Sequence, residues 1–393
     1  MAGSTTQQFK VGIPSGAPSQ IDSNAQQREV VGEMSLINPW DTPFLQTIGY
    51  GSAAPGLNMK HEWIEPDQWA KFITISATTA ATTTEVTLTL NGDTAYQVML
   101  GAVYINRTSG EYVQATARPS ASTLTVVRDF GGSTGDAMAA SAILDYAGVA
   151  HQEGADTVFK GHPIKATPYN YFQLFEQGLE ITKPAKTLKE YGMDRYEYER
   201  EDLMRTLKFG LEIAVLRGLR FAGSSTTEAA MLGGLYGFAT AANGAYVASA
   251  SSAALTESHI NAGLRDRLDT VGAENIGTDM FVNAFLRQKV DSLYSDRIRT
   301  TMNEHTGGTV IDTIRTSIVD VAVHLNTNME RDKILILNPS KCKVVYWPGM
   351  NWFEGDLPSS ALTASKEGVA GMFSFEDRQV ATQIKITNLS TTS

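Results

Sequence analysis

The chain has little of what catalysis, secretion or membrane insertion require. A single cysteine, Cys342, stands among 393 residues, so no disulfide can form within the chain. It lies in "SKCKVVYW", which reads as a small residue in a strand; Lys341 and Lys343 beside it do not by themselves make a reactive thiol. No apolar run approaches the ~20 residues that cross a bilayer. The opening "MAGSTTQQFKVG" lacks the basic-then-apolar layout of a secretion signal. Without one, the sequons Asn106-Arg107-Thr108 and Asn388-Leu389-Ser390 carry no weight. Basic blocks are missing too. The 32 Lys and Arg are scattered among 42 Asp and Glu, for a net charge of −10. That argues against a protein whose main task is gripping nucleic-acid phosphates, and it would suit the wall of a container that holds DNA.

Catalytic and ligand motifs are equally scarce. His61, His151, His162, His259, His305 and His324 stand alone, without zinc-type spacing. No G-x-S-x-G elbow occurs. "GGLYGF" at Gly233–Phe238 lacks the Lys-Ser/Thr of a phosphate loop and follows a helix instead of opening one, so it reads as a flexible turn. Asp129-Phe130-Gly131 has no accompanying catalytic loop. The acids Glu197, Glu199, Glu201 and Asp202 open a helix, where its dipole explains them. No catalytic residue, cofactor or metal site is expected.

What is there is architecture. Residues 1 to 36 are a polar leader rich in Ser, Gln, Gly and Ala, unable to form a core alone. It ends in "INPWDTPFLQTIG", where Trp40, Phe44, Leu45 and Ile48 arrive together, braced by Pro39 and Pro43. We read the leader as an arm and these four residues as the anchor by which it grips a neighbouring copy, with the prolines reducing the freedom lost on docking. On that reading the fold of the chain itself does not depend on Phe44.

From about Ala77 to Tyr146 the text turns to short strands. "EVTLTLNGD" alternates and ends in an Asn91-Gly92 turn, and "GAVYINRTSGEYVQATA" reads as a hairpin turning at Ser109-Gly110. This predicts a small antiparallel β module inserted in an extended excursion. The strongest helix follows, Met193 to Phe221, with Leu203, Leu207, Leu211, Val215 and Leu219 every four residues and Met204 and Leu216 widening the stripe. At ~1.5 Å per residue it is roughly 40 Å long, a spine. Thr256 begins an imperfect capping box. "GTDMFVNAFLRQKVDSLYSD" reads as strand then helix, and Val319, Val321 and Val323, the run Ile334–Leu337, and Ile384 with Ile386 read as strands. The class is α+β.

The order of these parts resembles the major capsid proteins of tailed double-stranded-DNA bacteriophages with the Hong Kong 97-type fold. It is most similar to the family of the Escherichia phage SU10 major head protein. The resemblance is carried by "INPWDTPFLQTIG", "HEWIEPDQW", "DRYEYER" leading into the spine helix, and "FSFEDRQVATQIKITNLS", and it covers nearly the whole chain. It implies an N-terminal arm at 1–60, limbs of an extended loop at 61–76 and 149–191, and the inserted β domain at 77–148. It further implies a peripheral domain at 192–254 and 345–393, and an axial domain at 255–344.

The resemblance also implies what the protein does. Pentamers and hexamers of one chain would close an icosahedral head around double-stranded DNA held without sequence-specific binding. Portal and decoration proteins would be possible partners, no membrane would be involved, and assembly would take place in the host cytoplasm. The arm is too short and too poor in helical pattern to be a built-in scaffold, so a separate scaffolding protein is expected. No position matches a motif for Lys–Asn crosslinking. Two alternatives share parts of this pattern: an encapsulin-like nanocompartment shell, and another virion structural or adhesive component built around the β module.

Overall fold

The computed structural model describes residues 41–56, 58–65, 69–81, 84–92, 94–149, 153–154, 167–187, 195–224, 228–294, 312–358 and 363–392. The leader up to Trp40, and with it Trp40 itself, lies outside the described residues. Along the chain, α1 (Pro43–Ile48) leads into β1 (Tyr50–Ala53) and β2 (Lys60–Glu62). Six strands follow: β3 (Phe72–Thr74), β4 (Glu85–Thr89), β5 (Ala102–Asn106), β6 (Tyr112–Ala117), β7 (Thr123–Val127) and β8 (Ile143–Val149). Then come β9 (Tyr169–Tyr171), β10 (Gln173–Thr182), α2 (Lys183–Thr187), α3 (Arg195–Arg217), α4 (Leu235–Phe238), β11 (Tyr246–Ser249) and α5 (Glu257–Val271). The rest is β12 (Asp279–Val282), α6 (Ala284–Tyr294), β13 (Thr313–Arg315), β14 (Asp320–Leu325), β15 (Ile334–Leu337), β16 (Cys342–Tyr346), β17 (Phe353–Leu357), β18 (Ala364–Asp377) and β19 (Ile384–Thr387).

The chain divides into two compact units. The described residues of the smaller are 176–187, 195–208, 354–358 and 363–369, which carry surface ion pairs of Arg200 with Glu354, Lys186 with Glu367 and Lys366 with Glu180. Such pairs contribute little each. The larger unit holds Asp41–Phe175, Phe209–Phe353 and Ala370–Ser393.

Strands β3 to β8 make one six-stranded sheet in the order β3-β8-β5-β6-β7-β4, antiparallel throughout. Alternation places Ile73, Leu88, Tyr104, Val113, Leu124, Val126 and Leu144 in its core. The β5–β6 hairpin closes where the dipeptide signal predicts: Gly110 has φ +76°, and its N–H donates to the Asn106 carbonyl at 2.8 Å. The module begins earlier than the expected 77, because Phe72, Ile73 and Thr74 pair with Asp145, Leu144 and Ile143. It also contains a charged pair invisible to pattern reading. Arg128 and Glu111 are fully buried and joined in a fork, Nε to Oε1 at 2.5 Å and Nη2 to Oε2 at 2.6 Å. The carbonyls of Ala80 and Asp136 also accept from Arg128, and the Asp136 N–H donates to Glu111, so the pair ties several loops together with its hydrogen-bonding groups used.

A second six-stranded sheet, ordered β11-β19-β15-β12-β14-β13, carries α5 and α6 on a core of Ile260, Leu264, Leu286, Val290, Val282, Ile334, Ile336 and Ile384. The continuous run of β15 is buried at all four positions, as an inner strand requires. At the start of α5 the imperfect capping box closes after all: the His259 Nδ1 accepts the Thr256 N–H at 3.2 Å, the place Glu or Gln ordinarily takes. This sheet divides the segment expected as one piece at 345–393, since β19 pairs with β15 while β18 pairs with β16. It also takes β11 from the segment expected at 192–254. The third sheet, β1-β16-β18-β10 with β17 on β18, contains residues expected in the arm: β1 lies parallel to β16, Tyr50 opposite Val344. Strands β2 and β9 form a two-stranded ribbon.

A fragment spanning residues 70–149 is expected to give a dispersed NMR spectrum on its own. Within it Arg128→Leu should cost about 3–5 kcal/mol in urea unfolding, because Glu111 would stay buried without its counter-ion.

Candidate assembly site

The segment expected to grip a neighbour is built into this chain's own fold. Pro43 starts α1 and Gly49, at φ +73°, ends it. The first N–H groups of so short a helix have no partner within it. Those of Phe44 and Leu45 donate to the Glu212 carboxylate of α3, at 3.1 and 2.8 Å. Glu212 is fully buried and takes a third hydrogen bond from the Asn326 Nδ2 at 3.0 Å. From the same loop the Asn328 Nδ2 donates to the Asp41 carbonyl at 2.9 Å, and the Arg217 Nη2 donates to the Asn328 carbonyl at 2.5 Å. Burial pushes the Glu212 carboxyl up from its ordinary range, opposed by the hydrogen bonds from Leu45, Phe44 and Asn326. The Phe44 ring meets Phe281 edge-on at 5.1 Å, and Phe281 stacks on His324 at 5.1 Å.

The sequence expectation for Phe44 and Leu45 is therefore corrected. Both are buried inside their own chain, because Glu212 and Phe281, far away in sequence, supply the partners. Ile48 is half-buried. On the spine, Leu203, Leu207, Leu211, Val215 and Leu216 are buried, but Leu219 is 69% exposed. The helix ends at Arg217, not at Phe221, because Gly218 and Gly234 meet there. A Cβ on Gly218 would run into the Leu232 and Ala214 carbonyls, and one on Gly234 would lie 2.5 Å from the Gly218 nitrogen. "GGLYGF" is thus a tight crossing, not a flexible turn, with Leu235 and Phe238 buried.

A second polar corner holds the limb that enters the β module. His61 Nε2 lies 2.5 Å from Glu376, which also pairs with Arg378 at 2.7 Å; Glu65 accepts from Trp63 Nε1 at 2.8 Å and from the Gln379 N–H at 2.9 Å. Next to them Asp377 is fully buried, with Oδ1 accepting from Gln383 Nε2 at 2.5 Å and Oδ2 without a partner among the described residues. Burial pushes its carboxyl up to about 8 against the Gln383 hydrogen bond, and the charge of Glu65 adds to the rise. Burial also raises the Cys342 thiol well above its usual range, which makes it inert. A cleft of about 310 Å³ nearby is lined by Glu65, Trp69, Lys71, Phe72, Asp269 and Thr382 among others. Among the described residues no group of three or more His, Cys, Asp or Glu is placed to hold a metal, and no helix is long and apolar enough to cross a membrane.

Compared with known families, the sequence matches the model of the SU10 major capsid protein over residues 7–390. The chain belongs to that family. This major capsid protein also shares its fold with solved phage-type capsids at low identity. The capsid of the native GTA particle aligns with a TM-score of 0.53 at 8% identity, covering 96% of this chain and 100% of that one. The cyanophage A-1(L) capsid gives 0.52 at 10% identity over 94% and 98%, and that of cyanophage P-SCSP1u gives 0.50 at 9% over 98% and 100%. No curated protein matches it in sequence. The fold is of the Hong Kong 97 type, and the protein is a structural component of a virion shell.

Two outcomes test these contacts in the capsid protein. Phe44→Ala is expected to lower the stability of the unassembled chain by about 3–5 kcal/mol in urea unfolding, whereas an anchor used only between copies would leave it unchanged. For Asp377 the unfolded chain ionises near the ordinary 3.8 and the folded chain near 8, so its share of stability is full below the first value and lost as pH rises to the second. The thermal midpoint of the wild type should therefore fall more steeply between pH 5 and pH 8 than that of Asp377→Asn. Equal slopes would contradict the assignment.

Proposed function

We propose that many copies of this chain close the icosahedral head of a tailed bacteriophage around its double-stranded DNA, in rings of five and six. The observation that carries this reading is the family match spanning residues 7–390, nearly the full chain. The same chain must meet neighbours at different angles in the two kinds of ring. Segments that lap over adjacent subunits keep a contact while the angle changes, and residues 1–40 are the part of the chain suited to lap. Residues 41–53 are instead the root, fastened to Glu212 and to β16.

The net charge of −10 suits a wall that encloses DNA without holding it by sequence. The β11-to-β13 sheet with α5 and α6 serves as the axial domain around which rings form, and α3 as the spine of the peripheral domain. A separate scaffolding protein sets the size of the shell in the host cytoplasm; portal and decoration proteins complete the particle. Trp40 and Ile48 remain the residues of the original anchor suited to contact a neighbour.

Negative-stain electron microscopy of the purified chain, alone and co-expressed with scaffolding proteins, is expected to show closed shells, tubes or five- and six-membered rings. A uniform monomer under every condition would overturn the reading.

A further inference from the structure

The end of α3 presents an exposed apolar side chain beside an arginine that makes no ion pair among the described residues. The Gly218–Gly234 crossing stops the helix, and the chain is then held by backbone pairing of Phe221 with Met231 at 3.1 and 2.9 Å. Between these two fixed points stand Leu219 and Arg220. A single exposed leucine is ordinary on a soluble protein. This one is 69% exposed on a turn braced at both ends, so it has no means of folding back to cover itself.

Arg220 beside it is held by aromatic and backbone contacts, with the Phe238 ring also 5.8 Å away. Its guanidinium carbon lies 4.4 Å from the centroid of the Tyr169 ring, and its Nη1 donates to the Tyr169 carbonyl at 3.3 Å. Lys60 Nζ lies 4.1 Å from the same centroid, but its charge is met by Glu62. Arg220 has no carboxylate partner among the described residues, although acids outnumber bases by 42 to 32 in this chain. A guanidinium already stacked on an aromatic ring has lost much of its freedom, and its remaining N–H groups form the planar fork that suits a carboxylate.

We propose that Leu219 and Arg220 form a docking point for an acid-bearing segment of a second copy of this chain. The carboxylate pairs with Arg220, and an adjoining apolar side chain covers Leu219. Charge complementarity selects that occupant: acids outnumber bases by 42 to 32 in every copy, so a fixed cation without a carboxylate partner among the described residues of its own chain finds its counterpart on another copy. The proposal rests on the capsid reading and names one contact within it.

The test places a photo-crosslinking phenylalanine analogue at position 219 of the full chain and irradiates assembled shells. Peptide mapping is expected to find a cross-link between two copies, into a segment carrying Asp or Glu. Shells that form but yield no cross-link between copies would overturn the proposal, as would a cross-link into a segment without acids. In parallel, Arg220→Glu should raise the protein concentration needed for assembly by about tenfold with unchanged circular dichroism, and Arg220→Lys should raise it less. Assembly of Arg220→Glu at the wild-type concentration would also overturn it. A wild-type chain that forms no shells defeats the capsid reading itself, and this inference with it.

Discussion

A carboxylate buried in the last third of α3 organises the entry of the chain into its body. Glu212 would be an expensive group to bury alone. It is tolerated because the first N–H groups of α1 and the Asn326 amide converge on it, and those N–H groups need an acceptor that their own short helix cannot supply. Three elements distant in sequence thereby share one contact. From it follow the burial of Phe44 against Phe281 and the direction in which the chain leaves to pair β1 with β16.

The β module shows a different use of the same physics. Its core is small, and its loops are joined by Arg128 and Glu111, whose fork geometry leaves neither charge unsatisfied. The pair joins loops at residues 80, 111, 128 and 136 within one sheet's core. The segment that leads to the module is fastened by polar contacts of His61 and Glu65 with Glu376 and Gln379, alongside ring contacts of His61 with Phe172 and of the buried Trp63 with Phe238.

Much of the fold is legible in the sequence where the signal is local. The alternation in β7, the Ser109-Gly110 turn, the buried run of β15 and the strand-then-helix of β12 and α6 all follow from neighbours along the chain. The misreadings share one cause. Phe44 and Leu45 look like part of a sticky tip because nothing near them in sequence could cover them. Phe281 meets the Phe44 ring, and Glu212 takes the N–H groups of both residues. Leu219 fits a four-residue period perfectly, yet the period says nothing about a glycine crossing that ends the helix one turn early.

Taken alone, the amino-acid sequence determined the α+β class, the spine helix, the β text of the insertion and the family to which the protein belongs. These rest on periodicity, turn chemistry and the order of motifs, all of which are written along one dimension. Only the tertiary structure decided that the supposed anchor is partly an internal root, that Asp377 and the Arg128–Glu111 pair are buried, and that Leu219 and Arg220 face outward. Burial depends on which distant segments arrive beside a residue, and a side chain's own neighbours in sequence do not carry that information.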